Sequence, residues 1–206
     1  MKKKPIIASV IILLVFGALT IFLTIYTMDR LLGKDVDFYE LIENNDPSSM
    51  KGKYVSLHVD GVLGNYAEMQ HKINGIIPAG TDQYYVVWLD NDYVISLKVK
   101  SKDTINKLEE ITDDTWDYID EKRNDLPDGI VVKGTIGTTD SKIEPFYKEA
   151  LGKLGVLDSD SITKPYYLTI DITEDRTSAF LEVGFCLLMT LIGLIMLISN
   201  IKNRYN

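Results

Sequence analysis

The chain has 206 residues, a mean hydropathy of +0.01 and a formal net charge of −8 at pH 7. Its 30 acidic and 22 basic residues argue against a nucleic-acid partner, because phosphate backbones attract basic surfaces. The single cysteine, Cys186, excludes a disulfide within the chain and leaves no thiol pair for redox chemistry.

The first predicted element is an apolar run that carries no charge from residue 6 to residue 28. A helix needs about 20 apolar residues to cross a hydrocarbon core, so residues 6–28 predict a transmembrane helix after a basic tail at residues 1–5. The run is longer than the apolar part of a signal peptide, and it lacks a small-residue cleavage site at its end. These features favour a retained anchor.

Residues 29–52 are predicted to connect this helix to a folded domain. Val36, Phe38, Leu41 and Ile42 give a short helical apolar face. The run of Asn, Asp, Pro and Ser that follows is a dense turn signal. The segment is therefore interpreted as a helical connector and a turn.

Residues 53–178 are predicted to form an α+β domain with a mainly antiparallel sheet. Alternating apolar and polar residues, or segments rich in Val, Ile and Tyr between turn signals, predict strands. The predicted strands are residues 53–60, 84–89, 93–100, 130–136 and 166–172. Gly61 and Gly64 predict a bulge or bend after the first strand. Residues 65–81 show no clear period and are interpreted as a long loop.

Two helices are predicted within this domain. The first is predicted to begin at a cap formed by Ser101 or Asp103. A break near Thr112 is an open alternative. The second covers residues 141–154, where Ser141 and Glu144 fit a capping box and Gly155 is an expected stop. The succession of elements fits an OB-like small barrel with two helices, or another α+β arrangement around an antiparallel sheet.

Residues 179–201 predict a second transmembrane helix, with Glu182 at its outer interface and a basic tail at residues 202–206. Basic residues flanking such helices favour the cytoplasmic side. The predicted location is the cell membrane, with two passes, both termini cytoplasmic and the central domain extracytoplasmic. Residues 29–178 hold 17 basic and 29 acidic residues, a net charge of −12.

Small and hydroxyl-bearing residues share one face of each predicted transmembrane helix. Such residues let membrane helices approach closely and form hydrogen bonds. We expect these faces to meet, either within one chain or between copies in a homo-oligomer. The residues predicted for this packing are Gly17, Thr20, Thr24, Cys186, Thr190 and Gly193.

No catalytic, cofactor-binding or metal-binding residue is predicted. His58 and His71 match no ligand spacing, and His58 is expected on the outer face of its strand. Residues 90–92 and 158–161 suggest calcium ligands but lack the glycine and distal glutamate of an EF-hand loop. A hairpin turn explains residues 90–92 equally well.

Aromatic residues of the predicted strands are expected to cluster, because strand pairing brings them together. They either form part of the core or stack on a sugar or a peptide at the surface. The side chains considered for surface recognition are Tyr84, Trp88, Tyr166 and His58.

Three segments of the chain carry a resemblance to a protein family: VDFYELI at residues 36–42, GKYVSLHVD at 52–60 and WLDNDYVIS at 88–96. With these segments the chain resembles an uncharacterised family of small two-span proteins of bacterial envelopes, with an extracytoplasmic domain of unknown function. The resemblance implies location and architecture and transfers no site residue. The composition, rich in Lys, Asn and Ile, fits a bacterial source.

The expected function is a membrane-anchored binding or accessory module of the cell envelope, without catalysis. Its expected partners are the lipid bilayer and a protein or envelope component. Two alternatives are a hydrolase or transferase that uses carboxylates or His58 on envelope substrates, and an immunity or sensory membrane protein.

Overall fold

A computed structural model describes residues 3–44, 49–74, 77–89, 92–158, 163–173 and 176–205 of the chain. The chain divides into two compact units. The helical unit comprises Met1–Lys34 and Asp175–Asn206, and the sheet unit comprises Asp35–Glu174. Each unit is built from local sequence patterns of a different period.

The helical unit contains α1, α2 and α6, numbered in chain order together with the elements of the sheet unit. They cover Lys3–Tyr26, Met28–Leu32 and Arg176–Tyr205. α1 and α6 are long and apolar enough to cross a membrane over Ile6–Tyr26 and Arg176–Lys202. α2 ends at Gly33, whose φ of +65° lets its N–H donate to the Arg30 carbonyl at 3.2 Å.

The sheet unit combines strands with short helices. Its elements are β1 Val36–Asp37, α3 Phe38–Asn44, β2 Tyr54–Val59, β3 Gly61–Ile73, β4 Ile77–Leu89, β5 Tyr93–Val99, α4 Lys102–Ile119, β6 Ile130–Thr138, α5 Glu144–Lys153 and β7 Lys164–Asp171. The five predicted strands and both predicted helices are present among them. β1 and β3 were not predicted.

The strands form one open sheet in the order β1-β2-β6-β7-β5-β4-β3. β1 pairs with β2 and β5 pairs with β7 in parallel, and the other neighbours are antiparallel. The mixed α+β class is therefore confirmed. The OB-like barrel is wrong, because β1 and β3 lie at opposite edges and the sheet does not close, whereas a barrel pairs every strand on both sides.

The main core lies where α3 and α4 cover one face of the sheet. Phe38 and Leu41 of α3 and Leu108 and Ile111 of α4 are buried against this face. Strand residues of this core include Val55, Leu57, Val59, Tyr85, Val87, Ile95, Leu97, Val132 and Ile170. Burial of this apolar surface is the main favourable term for the fold.

A smaller core lies on the opposite face, beneath α5. Tyr147 and Leu151 of α5 pack with Val86 of β4 and Val94 of β5. Successive strand residues point to opposite faces, so Val94 faces α5 while Ile95 faces the main core. β5 is therefore buried on both sides.

The prediction of a long loop over residues 65–81 is wrong. β3 and β4 form an antiparallel hairpin that extends from the Gly61–Trp88 pair to the Ile73–Ile77 pair. β5 flanks β4 only as far as Gln83, so the outer part of the hairpin is two-stranded, and its side chains alternate between half-buried and exposed from Ala67 to Lys72. Bulges also shift the register, one of them at Gly64 as predicted. The period of two is weak in the sequence because these shifts interrupt it and because Met69 is the only large apolar residue on the half-buried face from Ala67 to Lys72.

α4 also covers part of the free edge of β3. The Val62 N–H donates to Thr115 Oγ1 at 3.1 Å, and Trp116 Nε1 donates to the Leu63 carbonyl at 3.2 Å. An edge strand has unpaired backbone groups that can attract other chains. These two bonds satisfy such groups and fix the end of α4 beside β3.

The helix ends differ in how well the sequence predicted them. Ser101 is the N-cap of α4 and accepts a hydrogen bond from the Thr104 N–H, and α4 is unbroken at Thr112. The capping box predicted for α5 is not formed, because the Asp140 backbone carbonyl and side chain make the turn that precedes the helix. Gly155 follows α5 with φ +69°, as predicted for a helix stop.

Gly134→Ala is expected to destabilise the sheet unit. A Cβ at Gly134 of β6 would lie 2.6 Å from the Asp171 backbone oxygen of β7 and 2.7 Å from Ile172 Cγ2. Overpacking of this kind lowers the free energy of unfolding by about 1–3 kcal/mol. Chemical denaturation of the full chain in detergent, followed by tryptophan fluorescence, measures the change.

Gly152→Ala is the matched control, because nothing lies within 4 Å of a Cβ at Gly152 of α5. This substitution should leave the free energy of unfolding unchanged or raise it by up to about 1 kcal/mol, since alanine favours helix. If Gly134→Ala were as stable as the wild type, the close packing of β6 on β7 would be contradicted.

Candidate functional site

Small residues bring α1 and α6 of the helical unit into close contact. A Cβ on Gly193 would lie only 3.1 Å from the Leu13 backbone nitrogen. Thr20 Oγ1 is 3.4 Å from Thr190 Oγ1, and a Cβ on Gly17 would lie 3.9 Å from Thr190 Cγ2. These four residues, Gly17, Thr20, Thr190 and Gly193, are called the α1–α6 seam below. The predicted faces meet within one chain.

The other two residues predicted for this packing differ in position. Cys186 is buried, whereas Thr24 is exposed and its hydroxyl donates to the Thr20 carbonyl at 2.8 Å. A further pair was missed: Asn200 Nδ2 donates to the Oγ of the fully buried Ser9 at 3.0 Å. Lone polar residues inside or at the end of an apolar run are the signal that could have identified this pair.

A charged cluster joins four strands on the α5 side of the sheet. Lys98 Nζ lies 2.8 Å from Asp171 Oδ2 and 3.2 Å from Asp82 Oδ2, and His71 Nε2 lies 2.7 Å from the same Asp82 oxygen. The other oxygen of Asp171 accepts hydrogen bonds from the N–H and the hydroxyl of Thr173. β3, β4, β5 and β7 are thereby linked through their side chains.

Opposing effects act on the Lys98 ammonium. Burial lowers its pKa, but the hydrogen bond and charge of Asp171, together with Asp82, outweigh burial and raise the pKa above that of an ordinary lysine. Lys98 is therefore charged at neutral pH. Its charge offsets those of Asp82 on β4 and Asp171 on β7, the two strands that flank β5.

A polar cleft of about 210 Å³ lies beside this cluster. Its lining includes Tyr84, Lys98, Thr138, Asp140, Thr169 and Asp171. Most of these groups already have partners, since Thr169 Oγ1 donates to Thr139 Oγ1 at 3.1 Å and Asp140 Oδ1 accepts from the Lys142 N–H at 2.8 Å. The arrangement therefore stabilises the strand order.

Trp88 of β4 separates two clefts at the end of the β3–β4 hairpin where α4 ends. The apolar cleft, of about 220 Å³, is lined by Trp88 together with Leu63, Trp116, Ile119, Leu154 and Val156, among others. The acidic cleft, of about 210 Å³, is lined by Trp88 together with Asp60, Gly61, Asp92, Tyr118 and Leu126, among others. Together they are called the Trp88 cleft pair.

The four side chains considered for surface recognition lie in different settings. Trp88 lines both clefts. Tyr84 is only 3% exposed and packs on Tyr66, so it belongs to the interior. Tyr166 is half-buried and stacks on Tyr93 with ring centroids 4.5 Å apart. His58 is exposed on β2, and its Nε2 is 4.0 Å from Asp60 Oδ2, beside the acidic cleft.

The calcium hypotheses concern residues that lie mostly outside the described segments. Asp90, Asn91 and residues 159–161 lie outside them, while Asp92 and Asp158 are exposed. Within the described segments, no group of three or more His, Cys, Asp or Glu side chains could hold a metal ion.

Gly193→Val is expected to loosen the α1–α6 seam, whereas Gly184→Val on the same helix should not. Position 193 faces the α1 backbone, while nothing lies within 4 Å of a Cβ at position 184. Overpacking at a close contact of this kind costs about 1–3 kcal/mol.

A cross-link measures the expected effect on the seam. Ser9→Cys and Asn200→Cys are introduced together with Cys186→Ala, and oxidation by air with copper phenanthroline joins the two new thiols as a disulfide. After protease cleavage of the sheet unit, the two helices migrate as one band only when cross-linked. The yield should fall with Gly193→Val and persist with Gly184→Val; equal yields would contradict the seam.

Lys98→Met is expected to lower the free energy of unfolding by about 2–4 kcal/mol, because it leaves the Asp82 carboxylate, 6% exposed, without its cation. Since the pKa of Lys98 is raised on folding, its contribution is complete below the ordinary lysine pKa and is lost only as the pH rises above it. Denaturant titrations at neutral and alkaline pH measure both effects.

Lys153→Met provides the control for this charge removal. Its ion pair with Glu149 is exposed, so its loss should cost no more than about 0.5 kcal/mol. Equal losses for Lys98→Met and Lys153→Met would show that the charged cluster contributes no more than a surface pair.

Comparison with known proteins places the chain in a family. No match was found among curated proteins or among solved structures. A family model described as a domain of unknown function (DUF8577) matches residues 1–199. The match covers α1, the entire sheet unit and α6 as far as residue 199, and it confirms the resemblance to an uncharacterised family. The chain therefore belongs to the DUF8577 family.

Proposed function

We propose that the chain is a two-pass membrane protein whose sheet unit acts outside the cytoplasm as a binding or accessory module of the cell envelope. The observation that carries this proposal is the outward apolar surface of α1 and α6. Their exposed large side chains include Ile7, Leu14, Ile21, Leu181, Leu188 and Ile195. Water would disfavour such a surface, whereas lipid tails would cover it.

The polar groups of the helical unit support the same proposal. The hydroxyls of Thr20 and Thr190 face each other in the seam, and each also donates to a carbonyl one turn earlier on its own helix. Ser9 and Asn200 are paired in the same way between helices. Helices in lipid satisfy polar groups within the protein, because the hydrocarbon offers no partner.

The flanking charges support the proposed sidedness. Lys2, Lys3 and Lys4 precede α1's apolar run, and Lys202 and Arg204 follow that of α6. Basic flanks are retained in the cytoplasm, and a long intervening segment is translocated largely regardless of its own charge. Both termini are accordingly cytoplasmic and the sheet unit lies outside.

The charged groups of the sheet unit favour binding over catalysis. A hydrolase built on His58 or a carboxylate pair requires that group at the bottom of a pocket. The His58 side chain is 52% exposed on β2, and Asp82 and Asp171 both hold Lys98. Recognition through the surface of the sheet unit requires no such group.

Cysteine labelling tests location and sidedness. Cys186→Ala removes the only native thiol. Glu110→Cys on the exposed side of α4 should then react with a membrane-impermeant maleimide in intact cells. Lys202→Cys should react only after the membrane is opened. The reverse pattern would contradict the sidedness, and recovery of the full-length chain in the soluble fraction would contradict membrane insertion.

A second measurement tests the binding role itself. The tagged full-length chain, extracted in detergent, should retain a reproducible partner through purification. The control is a variant that keeps α1 and α6 and replaces the sheet unit with an unrelated domain. Recovery of the same proteins with both chains, or of no partner with the wild type, would count against an accessory role.

A further inference from the structure

We propose that the Trp88 cleft pair is a docking site for a protein segment that presents one apolar and one cationic side chain. This inference rests on the proposed binding role and specifies the chemistry of the partner. It follows from the size of the two clefts, from the charge of their walls and from the hydrogen bond that holds Trp116.

The apolar cleft offers a rigid surface for an aliphatic or aromatic side chain. Trp116 and Ile119 of α4 are 39% and 40% exposed, and Leu154 and Val156 also line the cleft. The hydrogen bond from Trp116 Nε1 to the Leu63 carbonyl fixes the indole in place. A surface that is ordered before binding loses less entropy when the partner docks.

The acidic cleft on the other side of Trp88 suits a cation. Asp60 and Asp92 contribute carboxylates, and none of the described residues that line the cleft is Lys or Arg. Tyr118 and the Trp88 ring add aromatic surface, against which a guanidinium or ammonium group is attracted by the ring electrons. A carboxylate beside an aromatic face is a setting that favours Arg or Lys from a partner.

The charge of the whole sheet unit favours the same partner. Residues 35–174 hold 14 basic and 27 acidic residues, a net charge of −13. Near the clefts, Lys122 and Arg123 are held by Asp117, Asp120 and Asp114. Such a field attracts cationic segments and repels anionic lipid headgroups.

The size of the clefts favours side chains of a protein over a compact ligand. Each cleft holds about 210–220 Å³, which is less than the roughly 300–1,000 Å³ typical of small-molecule pockets. Two shallow clefts on either side of one tryptophan match two side chains of one extended or helical segment. Tryptophans in such positions often carry much of the binding energy of an interface.

The chain offers a direct optical test of this site. It contains two tryptophans, Trp88 and Trp116, and both line the apolar cleft. The full chain is placed in phosphatidylcholine nanodiscs and titrated with a short tryptophan-free peptide that combines Lys or Arg with Leu and Phe. A saturable change in tryptophan emission is expected, and the affinity should fall as ionic strength rises.

Matched peptides and variants separate this site from general attraction to an acidic protein. A peptide with Gln in place of the basic residues, and the Asp60→Asn/Asp92→Asn variant, should each bind at least about tenfold more weakly. The Glu109→Gln/Glu110→Gln variant removes the same charge from the exposed side of α4 and should retain wild-type affinity.

A second pair of variants tests the aromatic contact. Trp88→Ala should weaken binding at least about tenfold, read from the remaining Trp116 emission and from calorimetry. Phe146→Ala removes an exposed aromatic side chain of α5 outside both clefts and should bind as the wild type does. Far-ultraviolet circular dichroism confirms that each variant is folded before titration.

Three results would overturn the inference. The first is that tryptophan emission does not change at peptide concentrations up to the millimolar range. The second is that the cationic and neutral peptides bind with equal affinity. The third is that the Asp60/Asp92 and Glu109/Glu110 variants lose the same amount of binding affinity. Any of them would leave the proposed membrane location and partner retention untouched, because labelling and purification test those separately.

Discussion

Burial of β5 on both faces is the constraint on which the sheet unit depends. Ile95 and Leu97 face the core under α3 and α4, while Val94 faces the smaller core under α5. β5 also lies inside the sheet, between β4 and β7, and pairs with β7 in parallel. The helices α3 and α4 on one face and α5 on the other supply the burial of this strand.

Burial of β5 on both faces also requires the polar groups near this strand to be paired. Ser96, fully buried, shares a 2.6 Å hydrogen bond with the Tyr66 hydroxyl, and the Tyr147 hydroxyl donates to the Val94 carbonyl. Lys98, near the C-terminal end of β5, forms ion pairs with the carboxylates of Asp82 and Asp171. Buried polar groups must be paired to avoid a desolvation cost, so these side chains serve the fold. The proposed docking site lies apart from these paired groups, around Trp88.

The two units obey opposite rules of burial. In the sheet unit apolar side chains lie inside and charges outside, whereas α1 and α6 turn large apolar side chains outward and pair Thr20 with Thr190 and Ser9 with Asn200 inside. This inversion supports the proposed placement of α1 and α6 in lipid. A family match across residues 1–199 indicates that both kinds of unit recur together.

Local periodicity in the sequence determined the two apolar helices, β2, β5 and the cap of α4 at Ser101, because each depends on neighbours along the chain. Only the tertiary structure decided the strand order, the outer β3–β4 hairpin and the Trp88 cleft pair. The outer part of the hairpin carries bulges and has few large apolar side chains on its half-buried face, so its period of two is weak in the sequence. The clefts exist because two hydrogen bonds hold the end of α4 against the edge of β3, about 50 residues earlier in the chain. Contacts between such distant segments leave no pattern in either one alone.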